Sequence, residues 1–272
     1  MIPAAAPTHV GEELRSWRAH RNLSQQELSN RSAVSTRHLS RMETGLARAS
    51  AEMILRLSDQ LDVPLRDRNQ LLTLAGHAPR YPDRPITHPA LAVVLDGLRG
   101  LVDAHLPYPA LLLDDYWDIV EANTAVDQLL TGCAPELLEP PVNILRLCLH
   151  PNGLLPRIRN ADQWTTHLRS QVIHRARRTQ NPRHHQLADE FAEYLDGGDC
   201  SPPQTGPVLT LDLAVTGSVL RLFSTSAQIT TAADATLEGL HLETFLPADE
   251  ATRAHLAPAL PAPDLSSEVR TR

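Results

Sequence analysis

Residues 24–45, SQQELSNRSAVSTRHLSRMETG, hold two helix-forming runs with a break between them too small to be a loop. No other stretch constrains the fold as much. Ser24 with Glu27 three positions later is a capping box, in which each side chain satisfies an orphan amide at a helix start. Ser35 opens the second run, which stops by Gly45. On a wheel of about 100° per residue with Leu39 at zero, Met42 and Ser35 fall on the Leu39 side, while Arg37 and Arg41 fall near 160° and 200°. Thr44 lies beside the arginines, and Thr36 and Ser40 lie on a flank. The second helix therefore carries two arginines at i, i+4 on the face that cannot be buried. The planar fork of arginine matches guanine O6 and N7 with two hydrogen bonds. A solvated helix face is the plain alternative, and the spacing alone leaves both open.

Charge is distributed unevenly around this stretch. Residues 9–80 carry 11 Arg against 8 acidic residues, the rest of the chain 14 Arg against 24, and there is no lysine. A basic segment joined to an acidic remainder suits a polyanion-binding module attached to something that does not touch the polyanion. Periodicity predicts five short helices in the first 80 residues, among them GEELRSWRAH and SAEMILRLSDQLD, the latter with Met53, Ile54, Leu57 and Leu61 on one face. Residues 76–90, GHAPRYPDRPITHPA, hold four prolines and read as a linker. A further helix over about 88–105 carries Leu91, Val94, Leu95, Leu98 and Leu101.

From residue 109 the pattern changes. PALLLDD and WDIVEAN read as two strands around a turn at Asp114, Asp115 and Tyr116. The helix NTAVDQLL follows, then helical segments over 143–195. After a loop come three more strands: VLTLDLAV, VLRLFSTSA and LEGLHLETF. Strands with helices gathered in the middle predict an α+β domain with a mainly antiparallel sheet. The proline- and serine-rich end of the chain predicts a mobile tail.

LSQQELSNRSAVSTRHLSRMETG resembles the helix-turn-helix of the XRE (phage-repressor-like) family. It matches at Leu23-Ser24-Gln25, Glu27-Leu28, Ser29, Val34, Ser35, Leu39, Met42, Glu43 and Gly45. The resemblance implies double-stranded DNA as partner, with Thr36, Arg37 and Arg41 reading base edges. It also implies that Gln25, Ser35, Thr44 and Arg48 position the chain on phosphates, and that Arg18 and Glu43 form an internal salt bridge. The family's turn glycine is here Ala33, which a left-handed backbone would cost on the order of 1–2 kcal/mol. PALLLDDYWDIVEANTAVDQLL resembles the opening of a PAS-like domain. With LAGHAPRYPDRP and the late strands, the order resembles the MmyB-like regulators, whose C-terminal domain binds a small apolar molecule, in some members a fatty acid.

The expected architecture is an all-α helix-turn-helix bundle over 9–77, a linker over 78–90, a PAS-like α+β domain over 91–255 and a disordered tail over 256–272. Alternation places Leu211, Leu213, Leu220, Leu222, Leu240 and Leu242 on a surface that is either plain core or the wall of a ligand cavity. A symmetric homodimer would read an approximate inverted repeat. The alternative to a ligand sensor is an adaptor whose second domain docks a protein.

No catalytic or metal-binding residues are assigned, and no cofactor is expected beyond a bound fatty acid or similar apolar ligand. His167 and His174 share a helix face but lie roughly 10 Å apart. His184 and His185 point apart, and Cys148 and His150 have no catalytic spacing. No phosphate-binding glycine loop occurs. Cys133, Cys148 and Cys200 have no paired spacing and fit free thiols. No secretory leader or membrane span is seen, so a cytoplasmic bacterial regulator is expected rather than an enzyme.

Overall fold

A computed structural model describes residues 9–179, 181–193 and 206–257. The sequence predicts five helices before the linker, and five form: α1 (Val10–His20), α2 (Gln25–Ser32), α3 (Thr36–Glu43), α4 (Ala51–Gln60) and α5 (Leu65–Leu74). The starts of α1 to α4 follow from side-chain caps. Ser24 accepts from the Glu27 amide and Glu27 reaches back to the Ser24 amide, while Ser35 and Ser50 accept from His38 and Met53. Each cap satisfies a donor that the helix itself leaves orphaned. The five helices close on Leu14, Trp17, Leu28, Leu39, Met42, Ile54, Leu57 and Leu71, all buried.

Two positions of positive φ follow the two helices of the motif. Ala33 ends α2 in the left-handed conformation, φ 53° and ψ 34°, the one that the turn needs. Because alanine is strained there and glycine is not, Ala33→Gly should stabilise the domain by roughly 0.5–1 kcal/mol after the added unfolded-state entropy is set against relief of strain. Thermal denaturation checks this, and a lowered melting temperature would contradict it. Gly45 ends α3 at φ 74°, and its missing side chain leaves room for the His9 ring.

After a 3₁₀ turn at Pro89–Leu91 comes α6 (Ala92–Ala104), then β1 (Ala110–Leu113) and β2 (Ile119–Ala122). The Asp114 carboxylate holds the turn between these strands by accepting from the Tyr116 and Asp118 amides. Next come α7 (Thr124–Leu130), α8 (Ile144–Leu149), α9 (Ala161–Thr179) and α10 (Pro182–Glu193). The remaining elements are β3 (Leu211–Val215), β4 (Ser218–Gln228), α11 (Ala235–Gly239), β5 (His241–Pro247) and α12 (Glu250–Leu256). The five strands form one sheet in the order β2-β1-β5-β4-β3, with the β1/β2, β1/β5 and β3/β4 pairs antiparallel. The α+β expectation holds.

The sequence differs from the structure in two places. Leu237–Gly239, read as the start of a strand, is the end of α11, because Asp234 caps a helix by accepting from the Thr236 amide. The helix α12 was not expected; Asp249 caps it at the Thr252 amide. The expected tail lies outside the described residues from 258 onward.

The chain forms two compact units. One contains everything up to Ala92 with Arg169–Glu190 and Gln228–Leu240; the other contains Val93–Leu168, Phe191–Ala227 and the chain from His241 onward. The sheet lies in the second. Among the described residues no helix is long and apolar enough to cross a membrane.

Candidate functional site

The reading face of α3 is built from its inner side outward. Leu39 is 0% exposed and Met42 1%, so the helix has one rotational setting and Arg37 and Arg41 must point to solvent. At its C-terminal end Glu43 is buried, and its carboxylate gathers three donors. Arg18 Nε lies 2.7 Å from Oε1, Arg18 Nη2 2.9 Å from Oε2, and Gln25 Nε2 2.7 Å from Oε2. This hydrogen bond to Glu43 raises the Arg18 pKa against the opposing effect of its partial burial. A bidentate arginine–carboxylate pair at a helix end fixes direction as well as distance. The Arg18–Glu43 pair that the resemblance implied is present, and it ties α3 to α1.

The residues expected to meet DNA are in different states. Arg37 is exposed and makes no hydrogen bond or ion pair among the described residues. Arg41 is exposed and its Nη2 donates to the Leu46 carbonyl at 3.3 Å. The Thr36 hydroxyl lies 3.1 Å from Gln26 Oε1 and 3.2 Å from Ser29 Oγ. Ser35 caps α3, Thr44 donates to the Ser40 carbonyl at 2.8 Å, and Arg48 is exposed just beyond. Gln25 sits at the start of α2 with one amide hydrogen committed to Glu43. Sequence reasoning did not find the link between Gln26 and Thr36. Its signal was the placement of both residues in the first turns of two helices that a short turn brings together.

In the second unit, Leu211, Leu213, Leu220 and Leu222 are buried in β3 and β4, where Leu211 pairs with Leu222 and Leu213 with Leu220. Leu242 is half-buried there, and Leu240, which ends the last segment of the first unit, is buried. A separate open cavity of about 520 Å³ lies against β2 and α7. Its wall is mostly apolar, with Ile119, Val126, Leu130, Leu138 and Val142, and includes Cys133. That volume is in the range of small-molecule sites. Arg157 stands behind this wall: its Nη2 donates to the Leu129 carbonyl at the end of α7 and lies 3.9 Å from Cys133 Sγ. Sequence reasoning missed this cavity, whose lining comes from three separate segments. Only Val126 and Leu130, i, i+4 on one helix, gave a local signal.

The histidines are placed apart. His184 is buried with Nδ1 2.5 Å from Thr179 Oγ1, His167 packs beside Trp164 and burial lowers its pKa, and His174 is exposed. Among the described residues no group of three or more His, Cys, Asp and Glu is placed to hold a metal ion. Cys133 and Cys148 are free and buried; Cys200 lies outside the described residues. Burial pushes the Cys148 thiol up to about 12.

A five-helix bundle that exposes two arginines on its third helix, joined to an α+β domain with an apolar cavity, defines a DNA-binding transcription regulator with a ligand-binding domain. The helix-turn-helix family profile matches residues 14–67. The profile of the MmyB-like transcription regulator ligand-binding domain matches residues 94–258, more than half of the chain, and the chain belongs to that family. No curated protein matches it.

Proposed function

We propose that the protein is a one-component regulator in which Thr36, Arg37 and Arg41 read base edges while Gln25, Ser35, Thr44 and Arg48 hold phosphates. The observation that carries this reading is the exposure of Arg37 and Arg41 opposite the fully buried Leu39. Phosphate contacts position a protein on the duplex, and base contacts specify the sequence. A homodimer would present two copies of α3 to an approximate inverted repeat. The ligand is a small apolar molecule, and a fatty-acid-like one fits best. The cavity beside β2 and α7 gives room for an aliphatic chain. The leucines of β3, β4 and β5 remain the second place for such a chain. Whatever the ligand, it acts only through a difference in affinity between two states of the protein.

Selection of the operator from random duplexes with purified protein comes first. Arg37→Ala and Arg41→Ala should then each weaken operator binding by about 1–3 kcal/mol, or roughly 5- to 150-fold, with much less effect on random DNA. Equal losses on every sequence would mean that these side chains only hold phosphates. Native mass spectrometry of the purified protein should show a bound lipid carboxylate. A stable complex with another protein and no bound lipid would favour the docking role instead.

A further inference from the structure

Pro64, at the N-cap of α5, offers no side-chain acceptor, so the first amides of that helix must be satisfied from elsewhere. The acceptor comes from 173 residues away: the Leu65 amide donates to Glu238 Oε2 at 2.7 Å. Glu238 lies in α11, and a carboxylate at a helix N-terminus is favoured by hydrogen bonding and by the helix dipole together.

Around this bond the linker and the start of α11 are joined at four more points. The Ala235 amide donates to the Pro82 carbonyl at 2.8 Å, and the Thr236 hydroxyl donates to the Arg84 carbonyl at 2.6 Å. Arg84 Nη1 lies 2.7 Å from Asp234 Oδ2, with the Asp234 side chain only 6% exposed. Asp83 Oδ1 lies 3.2 Å from the same Thr236 hydroxyl, and Asp83 accepts through both oxygens from Arg66 in the first turn of α5. Asn69, one turn further along α5, holds the Arg80 and Tyr81 amides and the Tyr81 carbonyl. All of these residues belong to one compact unit. Yet Leu65 lies in the stretch matched by the helix-turn-helix profile, and Asp234, Thr236 and Glu238 lie in the stretch matched by the ligand-binding profile.

We propose that α11 and the linker form a polar clasp on the first turn of α5, through which the ligand-binding region governs operator recognition. The clasp does not work by covering the reading face, because α3 packs on α1 and α2 whereas α5 packs on α1 and α4. It works by fixing the helical bundle that carries α3. The lever is short: α11 runs through Leu240 directly into β5, the middle strand of the sheet, so Glu238 is three residues from that strand. A ligand that shifts β5 pulls on the clasp. This inference rests on the reading of the chain as a ligand-responsive DNA-binding regulator. In a dimer on an inverted repeat, a held bundle presents both copies of α3 preorganised, and a released one loses that advantage.

The test uses the full chain and the double variant Asp234→Asn, Glu238→Ala. Asparagine keeps the cap on the Thr236 amide and removes only the partner of Arg84, so α11 retains its own start. Hydrogen exchange followed by mass spectrometry should show at least tenfold faster exchange at Leu65 and Ala235. Operator affinity should fall about tenfold and affinity for a single half-site duplex by a smaller factor, because each protomer's α3 loses its preorganisation. Unchanged exchange would overturn the clasp itself. Faster exchange with unchanged operator affinity would leave a structural contact and overturn its role in recognition. If the unaltered protein shows no preference among duplexes, the regulator reading fails and takes the coupling with it, while the exchange rates still decide whether the clasp exists.

Discussion

Glu43→Ala is expected to destabilise the helix-turn-helix domain by about 3–5 kcal/mol, the cost of leaving a buried charge without its partner. The Glu43 side chain is 1% exposed and that of Arg18 12%, so water cannot replace the lost carboxylate. Gln25 loses its acceptor at the same time. A loss of this size takes up much of the stability of a small domain, about 5–15 kcal/mol. Urea denaturation followed by helical circular dichroism should show an early transition for the N-terminal helices, and operator binding should vanish with it. Replacing both partners, as in Arg18→Met with Glu43→Leu, should recover much of the stability, since an apolar pair of similar volume avoids the desolvation of two charges. A loss below about 1 kcal/mol for Glu43→Ala would mean that the pair behaves like a solvated surface bridge.

Gly11→Ala should have an effect of similar rank, about 3 kcal/mol or more, from overpacking. A methyl group at position 11 would lie 2.1 Å from the Met42 carbonyl oxygen and 2.9 Å from Glu43 backbone atoms. These are backbone atoms of α3, which cannot swing aside as a side chain would. Either α1 moves away from α3 and opens the Trp17 and Leu39 core, or α3 shifts and the geometry of Arg37 and Arg41 shifts with it. Both outcomes weaken operator binding. Gly97→Ala is the control: nothing lies within 4 Å of the added atom, and the site is inside α6. It should raise stability by roughly 0.5–1 kcal/mol because alanine is the better helix former. Thermal melts of the two variants separate steric clash from helix propensity, and equal behaviour would refute the close approach at Gly11.

The N-terminal bundle was legible because its signals are local. Ser24, Ser35 and Ser50 mark helix starts within four residues of the amides they satisfy, and the buried positions recur at helical spacing. Arg18 and Glu43 are 25 residues apart and were reachable only through resemblance. In the C-terminal domain the alternation of Leu211, Leu213, Leu220 and Leu222 disclosed strands but not their order, since nothing within β5 says that it lies between β1 and β4. The strand-like alternation of Leu240 and Leu242 in LEGLHLETF drew the strand reading back over Leu237–Gly239, which end a five-residue helix. The cavity left only the faint signal of Val126 and Leu130, and the α5 clasp left none. Each depends on residues that only the finished fold brings together, Leu65 with Glu238 being the clearest case.

The sulfur of Cys148 gives the molecule an internal clock. A thiol held at about 12 on the buried side of α8 stays protonated and out of reach of an alkylating reagent. It reacts only during the moments when the second unit opens. With Cys133 and Cys200 replaced by serine, the pace of labelling counts those openings directly. Any bound molecule that steadies the sheet domain should slow the count, so candidate ligands can be ranked by the delay they impose without knowing the gene target or even the DNA sequence.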